Sequence, residues 1–260
     1  MSSIDRLLTI MQRLRDPNGG CPWDQAQTYK TIVPHTLEEA YEVADAIERE
    51  DYDDLRDELG DLLFQVVFYA ELADEEDRFD FEQVAAAIAD KLERRHPHVF
   101  ADKKFADAEE QTRHWEELKQ QERARKSEQA RQSILDGITR TLPALSLTNK
   151  LQKRAAQVGF DWPDHAGVMA KVQEELGELQ QDWADPDRRE DEIGDLLFTC
   201  VNLARHAGCD PEAALRRANQ KFEQRFRNME TACHSQQRDL AQLEPQEWEA
   251  MWQQAKHFSP

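Results

Sequence analysis

The chain has 260 residues, of which 33 are Lys or Arg and 53 are Asp or Glu, giving a formal net charge of −20. This acidic balance argues against nucleic acid or an anionic membrane as the main partner, because both bind to basic surfaces. It does not exclude a small anionic ligand, since a bound metal ion and a few local basic side chains can reverse the field at one site.

The composition predicts an all-α fold. Gly and Pro are few, with 9 and 10 residues, and runs of alternating β-branched residues are absent. The four Cys residues have no CxxC spacing, so we do not expect a structural zinc site, and the natural setting is reducing and cytoplasmic. The longest apolar run is too short to span a bilayer.

The first predicted helix is amphipathic. Its apolar residues, from Ile4 to Leu14, recur at helical spacing and are interrupted by Arg6 and Arg13. This pattern is not that of a signal peptide, whose central region is uniformly apolar.

The second predicted helix carries a pair of carboxylates within the pattern EExxE. Glu39 and Glu42 are three residues apart on it, and residues at this spacing share one face of a helix. We expect the helix to start near Pro34 and Thr36, because these residue types are common in a first helical turn.

The third predicted helix begins with ExxD and continues as an apolar helix. Glu58 and Asp61 stand at its start, and apolar residues follow at positions i, i+3, i+4 and i+7. If the two helices face each other, four carboxylates meet in one site. Like charges that close repel one another unless a cation neutralises them.

Two basic residues and a polar stretch follow. Lys91 and Arg95 are four residues apart and can point together at a phosphate chain. The stretch 119–133 lacks large apolar residues, which is typical of a solvated helical linker. We therefore predict an N-terminal domain at 1–120, a charged helical linker at 121–133 and a C-terminal domain at 134–260.

The acidic pattern then recurs, which indicates an internal duplication. Glu175 and Glu178 stand 136 residues after Glu39 and Glu42, whereas Glu192 and Asp195 follow Glu58 and Asp61 at 134. The loop between the helices is therefore two residues shorter in the second copy. A solvated acidic face has no reason to recur directly before a strongly apolar helix, so the repeat favours a metal site over a plain charged surface.

Each copy of the motif offers four carboxylate oxygens and no nitrogen or sulfur ligand. This donor set suits Mg²⁺, with Mn²⁺ as a possible substitute. Di-iron bundles place His three residues after a Glu, where this chain has Asp195 and Glu178, so redox chemistry is disfavoured. Magnesium on carboxylates usually recruits phosphate oxygens and can orient an attacking water. Glu174 lies about 100° round the helix from Glu175 and could bind the ion from the flank or hold that water.

Basic and aromatic residues of the second copy are candidates for nucleotide binding, each with a plainer alternative. Lys221 and Arg225 can grip a phosphate chain or pair with neighbouring carboxylates. Lys171 can touch phosphate, although an ion pair with Glu175 is the favoured interpretation. Trp252 can stack on a base, but an indole on an amphipathic helix more often lies in the core. The same alternatives apply to the aromatic pair Phe160 and Trp162, with the core favoured.

These motifs resemble the MazG family of nucleoside triphosphate pyrophosphohydrolases over nearly the whole chain. The shared features are EExxE, a gap of 15 residues in the first copy and 13 in the second, ExxD, and the segments GCPWD, HTLEEAYEV, RRHPHVF and VGFDW. The resemblance implies dimerised four-helix bundles and Mg²⁺-dependent attack between the α and β phosphates. The products would be a nucleoside monophosphate and pyrophosphate, with broad base specificity.

The resemblance also implies residue roles. The metal would be held by Glu175, Glu178, Glu192 and Asp195, with Glu174, Glu175 and Glu192 catalytic. Phosphate would meet Lys221 and Arg225, and the nucleotide would meet Trp252. Activity in full-length members is usually assigned to the C-terminal repeat, yet the first copy keeps a possible second site. Its residues are Glu39, Glu42, Glu58, Asp61, Lys91 and Arg95.

Two other functions remain open from the residues. A relative specific for one nucleotide, such as dUTP or phosphoribosyl-ATP, would use the same carboxylates. A non-enzymatic acidic helical adaptor would use none of them for catalysis. We also expect each half to complete a four-helix bundle by pairing with its copy in a second chain. Packing of one half on the other is the alternative.

Overall fold

The computed structural model describes residues 1–101, 104–107, 110–111, 114–115, 118 and 133–258, with residues 257–258 described by backbone alone. In these residues the secondary structure is helical and no β-strand occurs, which confirms the all-α fold class. The chain divides into two compact units, Met1–Glu122 and Arg123–Pro260. Of the predicted linker, only Ser133 lies within the described residues. No helix in the described part is long and apolar enough to cross a membrane.

The first unit is built around a helical hairpin. Helices α3 and α4 pack along each other, α1 and α5 pack against α4, α2 contacts α1, and α6 follows α5. The helices of this unit are α1 (Ser3–Arg15), α2 (Pro22–Ala26), α3 (Tyr29–Glu48), α4 (Tyr52–Asp74), α5 (Phe81–Arg95) and α6 (Pro97–Phe100).

The second unit repeats this hairpin with α8 and α9. Helix α7 packs against α9, as α1 packs against α4 in the first unit, and α10 contacts α7, α9 and α11. The helices of this unit are α7 (Ala144–Ala156), α8 (His165–Asp182), α9 (Pro186–His206), α10 (Pro211–Ser235) and α11 (Pro245–Phe258), with a 3₁₀ turn at Leu240–Gln242.

The start of α3 differs from the sequence expectation. The helix begins at Tyr29, where the side chain of Thr28 accepts a hydrogen bond from the backbone N–H of Thr31, and Pro34 lies inside the helix. The prediction of a start near Pro34 was wrong because a capping box between Thr28 and Thr31 satisfies the free N–H groups earlier in the chain. Proline near the beginning of a helix removes only one backbone hydrogen bond.

The core of the first unit centres on Phe68. Its side chain is fully buried with Met11, Ile32, Val67 and Leu72, residues that come from α1, α3 and α4. Burying a Phe side chain stabilises a fold by about 1.5–3 kcal/mol. The guanidinium carbon of Arg15 lies 5.3 Å from the centre of the Phe68 ring, so this position is closed on the α1 side.

Both hairpins keep large apolar side chains exposed within their own unit. The exposed apolar residues of the first hairpin are Val33, Leu37, Tyr41, Ile47, Tyr52, Leu59, Leu63 and Val66. Those of the second are Met169, Leu176, Ile193, Leu197 and Phe198. Several large exposed apolar side chains on one hairpin are typical of a site where another surface packs.

Candidate active site

The two helical hairpins bring the repeated carboxylates together. In the first unit, one carboxylate oxygen from each of Glu39, Glu58 and Asp61 lies within 4.8 Å of the others. In the second unit the same holds for Glu175, Glu192 and Asp195. Each cluster combines one residue of the EExxE helix with both acids of the ExxD helix, as the spacing of the two motifs predicts.

The remaining acid of each motif lies near its cluster but outside that tight group. The charge of Glu42 acts on Glu39, so the two carboxyl groups lie near each other. The charge of Glu178 acts on Glu192. The structure therefore assembles three of the four predicted ligands within contact range of one ion and leaves the fourth beside them.

Crowding of the carboxylates changes their protonation. Burial, followed by the charges of Asp61 and Glu42, raises the pKa of Glu39 above its ordinary value. In the second cluster burial and the charges of Glu178 and Glu175 raise the pKa of Glu192. Repulsion of this kind is relieved by a divalent cation, which neutralises several carboxylates at once.

The second cluster also contains a basic side chain. Nζ of Lys171 lies 2.8 Å from Oε1 of Glu174 and 2.9 Å from Oε1 of Glu175. These two hydrogen bonds raise the pKa of Lys171 well above its usual range, so this side chain stays charged. The favoured sequence interpretation, an ion pair with Glu175, agrees with these contacts, which extend to Glu174 as well.

The position of Lys171 in the repeat is taken by His35 in the first unit. Both residues stand four positions before the second Glu of EExxE. The imidazole of His35 lies edge-on to Trp23 with 5.9 Å between ring centres, and its Nδ1 is 3.7 Å from Glu38. The ammonium group of Lys171 in one cluster thus corresponds to an imidazole ring in the other.

The two clusters also differ in how deeply their carboxylates are buried. The Glu175 side chain is 5% exposed, whereas Glu39 is only partly buried. A carboxylate that is nearly removed from water needs a strong partner, and Lys171 supplies one. The Glu174 side chain is 57% exposed, so it stands at the rim of the second cluster rather than inside it.

The other predicted nucleotide-binding residues of the C-terminal half, Lys221, Arg225 and Trp252, lie on α10 and α11. The guanidinium carbon of Arg225 lies 6.0 Å from the centre of the Trp252 ring, and Nζ of Lys256 lies 6.0 Å from the same ring. Lys221 is exposed one turn before Arg225. Trp252 thus lies against the basic side chains of Arg225 and Lys256, a surrounding that the sequence interpretation of a core indole did not include.

Trp252 also belongs to an aromatic patch. Its ring centre is 5.4 Å from that of Phe222, and Phe226 stacks on Trp248 at 6.2 Å. These side chains line a shallow cavity of about 270 Å³ between α10 and α11. In the first unit, Lys91 and Arg95 lie half-buried at the end of α5.

Sequence reasoning missed a larger cavity in the second unit. Its volume is about 530 Å³, and it is bounded by α7, α9 and residues 159–162. Phe160 and Trp162 line it and are 81% and 43% exposed, so the expectation that both rings lie in the core was wrong. The segment VGFDW was visible in the sequence, but its place beside α9 was not.

Comparison with known proteins gives consistent results. The sequence profile of the MazG nucleotide pyrophosphohydrolase domain matches residues 27–100. The nucleoside triphosphate pyrophosphohydrolase of Escherichia coli (strain K12) is 56% identical over 260 residues, covering 98% of each chain. The nucleoside triphosphate pyrophosphohydrolase/pyrophosphatase MazG of Thermotoga maritima is 42% identical over 253 residues, covering 97% of this chain and 95% of that one.

Proposed function

This chain belongs to the MazG family of nucleoside triphosphate pyrophosphohydrolases, and we propose that its active site is the carboxylate cluster of the second unit. The enzyme is a hydrolase of nucleoside triphosphates. One observation carries the choice of site: Glu175 is nearly buried, lies with Glu192 and Asp195 within 4.8 Å, and touches Lys171. We assign residues 1–120 and 134–260 as two MazG-like domains.

The donor set of this cluster fits magnesium. All of its groups are carboxylates, which hard divalent cations prefer, and the oxygens are close enough to meet on one ion. Glu175, Glu178, Glu192 and Asp195 would hold Mg²⁺, with Mn²⁺ as a substitute. The ion would supply positive charge to the phosphate oxygens of the substrate, which makes the α phosphorus more susceptible to attack.

The hydrolysis needs a water aligned with the bond between the α and β phosphates. A bond forms between the water oxygen and the α phosphorus, and the bond from that phosphorus to the bridging oxygen breaks, releasing pyrophosphate. Glu174, exposed at the rim beside Glu175, would hold this water and accept its proton. Proton transfer to a positioned carboxylate contributes about 10²–10⁴-fold to such reactions.

Basic residues neutralise the triphosphate. Lys171 is held at the carboxylate cluster and would turn to a phosphate oxygen of the substrate when Glu175 serves as a metal ligand. Lys221 and Arg225 present two further cations from α10, and the indole of Trp252 meets the nucleotide beside Arg225.

For the first unit we propose a metal-binding but non-catalytic role. Glu39, Glu58 and Asp61 offer the same oxygens, with Glu42 beside them, and Lys91 and Arg95 repeat the basic pair on α5. At the position that corresponds to Lys171, the first unit has His35.

We also propose that the protein is a homodimer. The two hairpins leave their apolar faces exposed, and a four-helix bundle needs two such hairpins to enclose one core. Pairing of identical faces about a two-fold axis is the commonest way for a chain to do this.

The test is the product of the reaction. Purified protein with Mg²⁺ should release pyrophosphate and a nucleoside monophosphate from each common nucleoside triphosphate, and chelation of the metal should stop it. Glu192→Gln should abolish turnover while the far-ultraviolet circular dichroism stays that of a helical protein. Orthophosphate and a diphosphate as products would exclude the assigned cleavage site, and turnover of a single triphosphate would contradict broad base specificity.

A further inference from the structure

Helix α10 carries a row of three basic side chains on one face. Arg217, Lys221 and Arg225 follow one another at intervals of four residues, and residues four apart lie on the same face of a helix. The row extends over about 12 Å along the helix axis. Lys221 and Arg225 are predicted to bind phosphate, whereas Arg217, at the start of the row, has no assigned role.

The row has no acidic side chain beside it on the helix. The positions three and four residues before and after Arg217 and Lys221 hold Ala213, Ala214, Ala218, Gln220, Gln224 and the basic residues of the row itself. Like charges four residues apart repel one another. The chain has 53 Asp and Glu residues and places none of them at these positions, so the row is available to an anion that is not part of the helix.

The side chains of Arg217 and Lys221 are exposed, and among the residues that the structure describes neither forms a hydrogen bond or an ion pair. Arg227 on the same helix is different. Its Nε lies 2.9 Å from Oε1 of Glu223, four residues earlier, and this hydrogen bond raises the pKa of Arg227. Arg227 lies about 160° round the helix from Arg225. Helix α10 thus pairs an arginine outside the row with a carboxylate and leaves two cations of the row without one.

The row has a direction relative to the nucleotide. The guanidinium carbon of Arg225, its last member, lies 6.0 Å from the centre of the Trp252 ring, where the nucleotide is proposed to bind. Farther along the same face, residues 228–229 are uncharged. A phosphate chain that runs along α10 from Trp252 therefore meets cations only in the other direction, first Lys221 and then Arg217.

The first unit lacks the first member of the row. Lys91 and Arg95 on α5 repeat the last two members, 130 residues earlier in the chain. At the position that corresponds to Arg217, the first unit has Ala87. The unit for which we propose no catalysis therefore has a row that is one helical turn shorter, and the missing cation is the one farthest from the nucleoside end.

We propose that Arg217 binds the β and γ phosphates of the nucleoside triphosphate, an inference that rests on the proposed function. Its guanidinium can donate two parallel hydrogen bonds to phosphate oxygens. When water attacks the α phosphorus, the bridging oxygen leaves with the bonding electrons, and negative charge develops on the pyrophosphate. A cation at this end stabilises that charge, so Arg217 binds the substrate and also assists the departure of the leaving group.

Product inhibition tests this placement, because the two products divide the substrate between them. The inhibition constants of pyrophosphate and AMP are measured in the hydrolysis of ATP by the whole chain with Mg²⁺. Arg217→Ala should raise the inhibition constant of pyrophosphate about tenfold or more, the value of one lost charge-assisted hydrogen bond, and should leave that of AMP within about twofold. The KM for ATP should rise together with the inhibition constant of pyrophosphate.

Two further variants serve as controls. Arg217→Lys keeps the charge but not the paired donors, so its inhibition constant for pyrophosphate should lie between those of the wild type and Arg217→Ala. Arg227→Ala removes an exposed cation from another face of α10 and should leave both inhibition constants at their wild-type values. Because Arg217 is exposed, the melting temperature of Arg217→Ala should match that of the wild type.

The outcomes separate this inference from the proposed function. If the wild-type protein releases pyrophosphate and Arg217→Ala leaves the inhibition constant of pyrophosphate unchanged, or raises those of both products equally, the inference is overturned and the proposed function stands. If the wild-type protein releases none, the proposed function fails, and calorimetric titration with pyrophosphate and Mg²⁺ tests Arg217 by itself. Weaker binding to Arg217→Ala than to the wild type supports the pyrophosphate site, and equal binding or none overturns it.

Discussion

The two units of this chain contain the same acidic motifs but surround them with different side chains. Both place three carboxylates within 4.8 Å on a helical hairpin. In the second unit Lys171 touches Glu174 and Glu175 and Arg217 extends the basic row of α10. In the first, His35 and Ala87 stand at the matching positions. The metal ligands alone therefore do not define a catalytic unit; the neighbours that serve the substrate distinguish them.

The largest expected effect comes from matched changes to the two clusters. Glu175→Gln should lower kcat by on the order of 100-fold or more, because it removes a charged metal ligand from the active site. Glu39→Gln makes the same change in the first unit and should leave kcat within about twofold, because the proposed reaction uses only the carboxylates of the second unit. Steady-state pyrophosphate release measures both, and equal losses would show that the units share catalysis.

Exchanging Lys171 and His35 between the two units tests whether the lysine beside the carboxylates contributes to activity. Lys171→His gives the second cluster the residue of the first and should reduce kcat/KM about tenfold or more, the value of one lost charge-assisted hydrogen bond. His35→Lys is the reciprocal variant and should add little activity, because the first unit still has Ala87 where the second has Arg217. Wild-type turnover by His35→Lys in a Glu175→Gln background would show that the lysine alone distinguishes the two units.

A smaller effect is expected on the melting temperature of the metal-free protein, and here the substitution of a carboxylate should stabilise the fold. Burial, followed by the charges of Asp61 and Glu42, raises the pKa of Glu39, so its charged form costs stability once the pH rises above its ordinary pKa. Glu39→Gln should therefore raise the melting temperature of metal-free protein at neutral pH by about 2 °C. The same variant should show a smaller stabilisation by Mg²⁺ than the wild type. A lower melting temperature in the absence of metal would refute this electrostatic account.

The smallest expected effect is on the stability of the second unit at acidic pH. Hydrogen bonds from Arg205, partly offset by burial and joined by one with His206, lower the pKa of Asp161 to about 2. Because this folded value is below the ordinary one, the carboxylate stabilises the second unit above about pH 4. That contribution is lost as the pH falls toward 2.

The Asp161→Asn variant checks this sign. Its unfolding free energy should depend less on pH between 4 and 2 than that of the wild type, as measured by urea titration at several pH values. The Asp45→Asn change in the first unit, at an exposed carboxylate paired with Arg49, is a matched control. If the unfolding free energy of Asp161→Asn changes with pH as steeply as that of the wild type, the Asp161–Arg205 pair does not stabilise this unit.

The sequence predicted the parts of the site that repeat and missed those that do not. Duplicated ExxE and ExxD spacing located both clusters because helical periodicity alone puts such acids on one face. The start of α3 was misplaced because the Thr28 cap competes with the proline signal. The cavity was missed because it depends on which side chain fills the contact between two helices, which is a tertiary property. Alignment of the core residue Phe68 with Asn202, which lines the cavity, was the one sequence signal that could have indicated it.

Exposed apolar faces on both hairpins have a consequence for how the protein responds to dilution. If these faces pair with a second copy, association and folding draw on the same free energy, and the melting temperature rises with protein concentration. A tenfold dilution then lowers the folded fraction through mass action, without any change in temperature or solvent. The amount of active enzyme would therefore fall more steeply than the amount of chain whenever its synthesis is low.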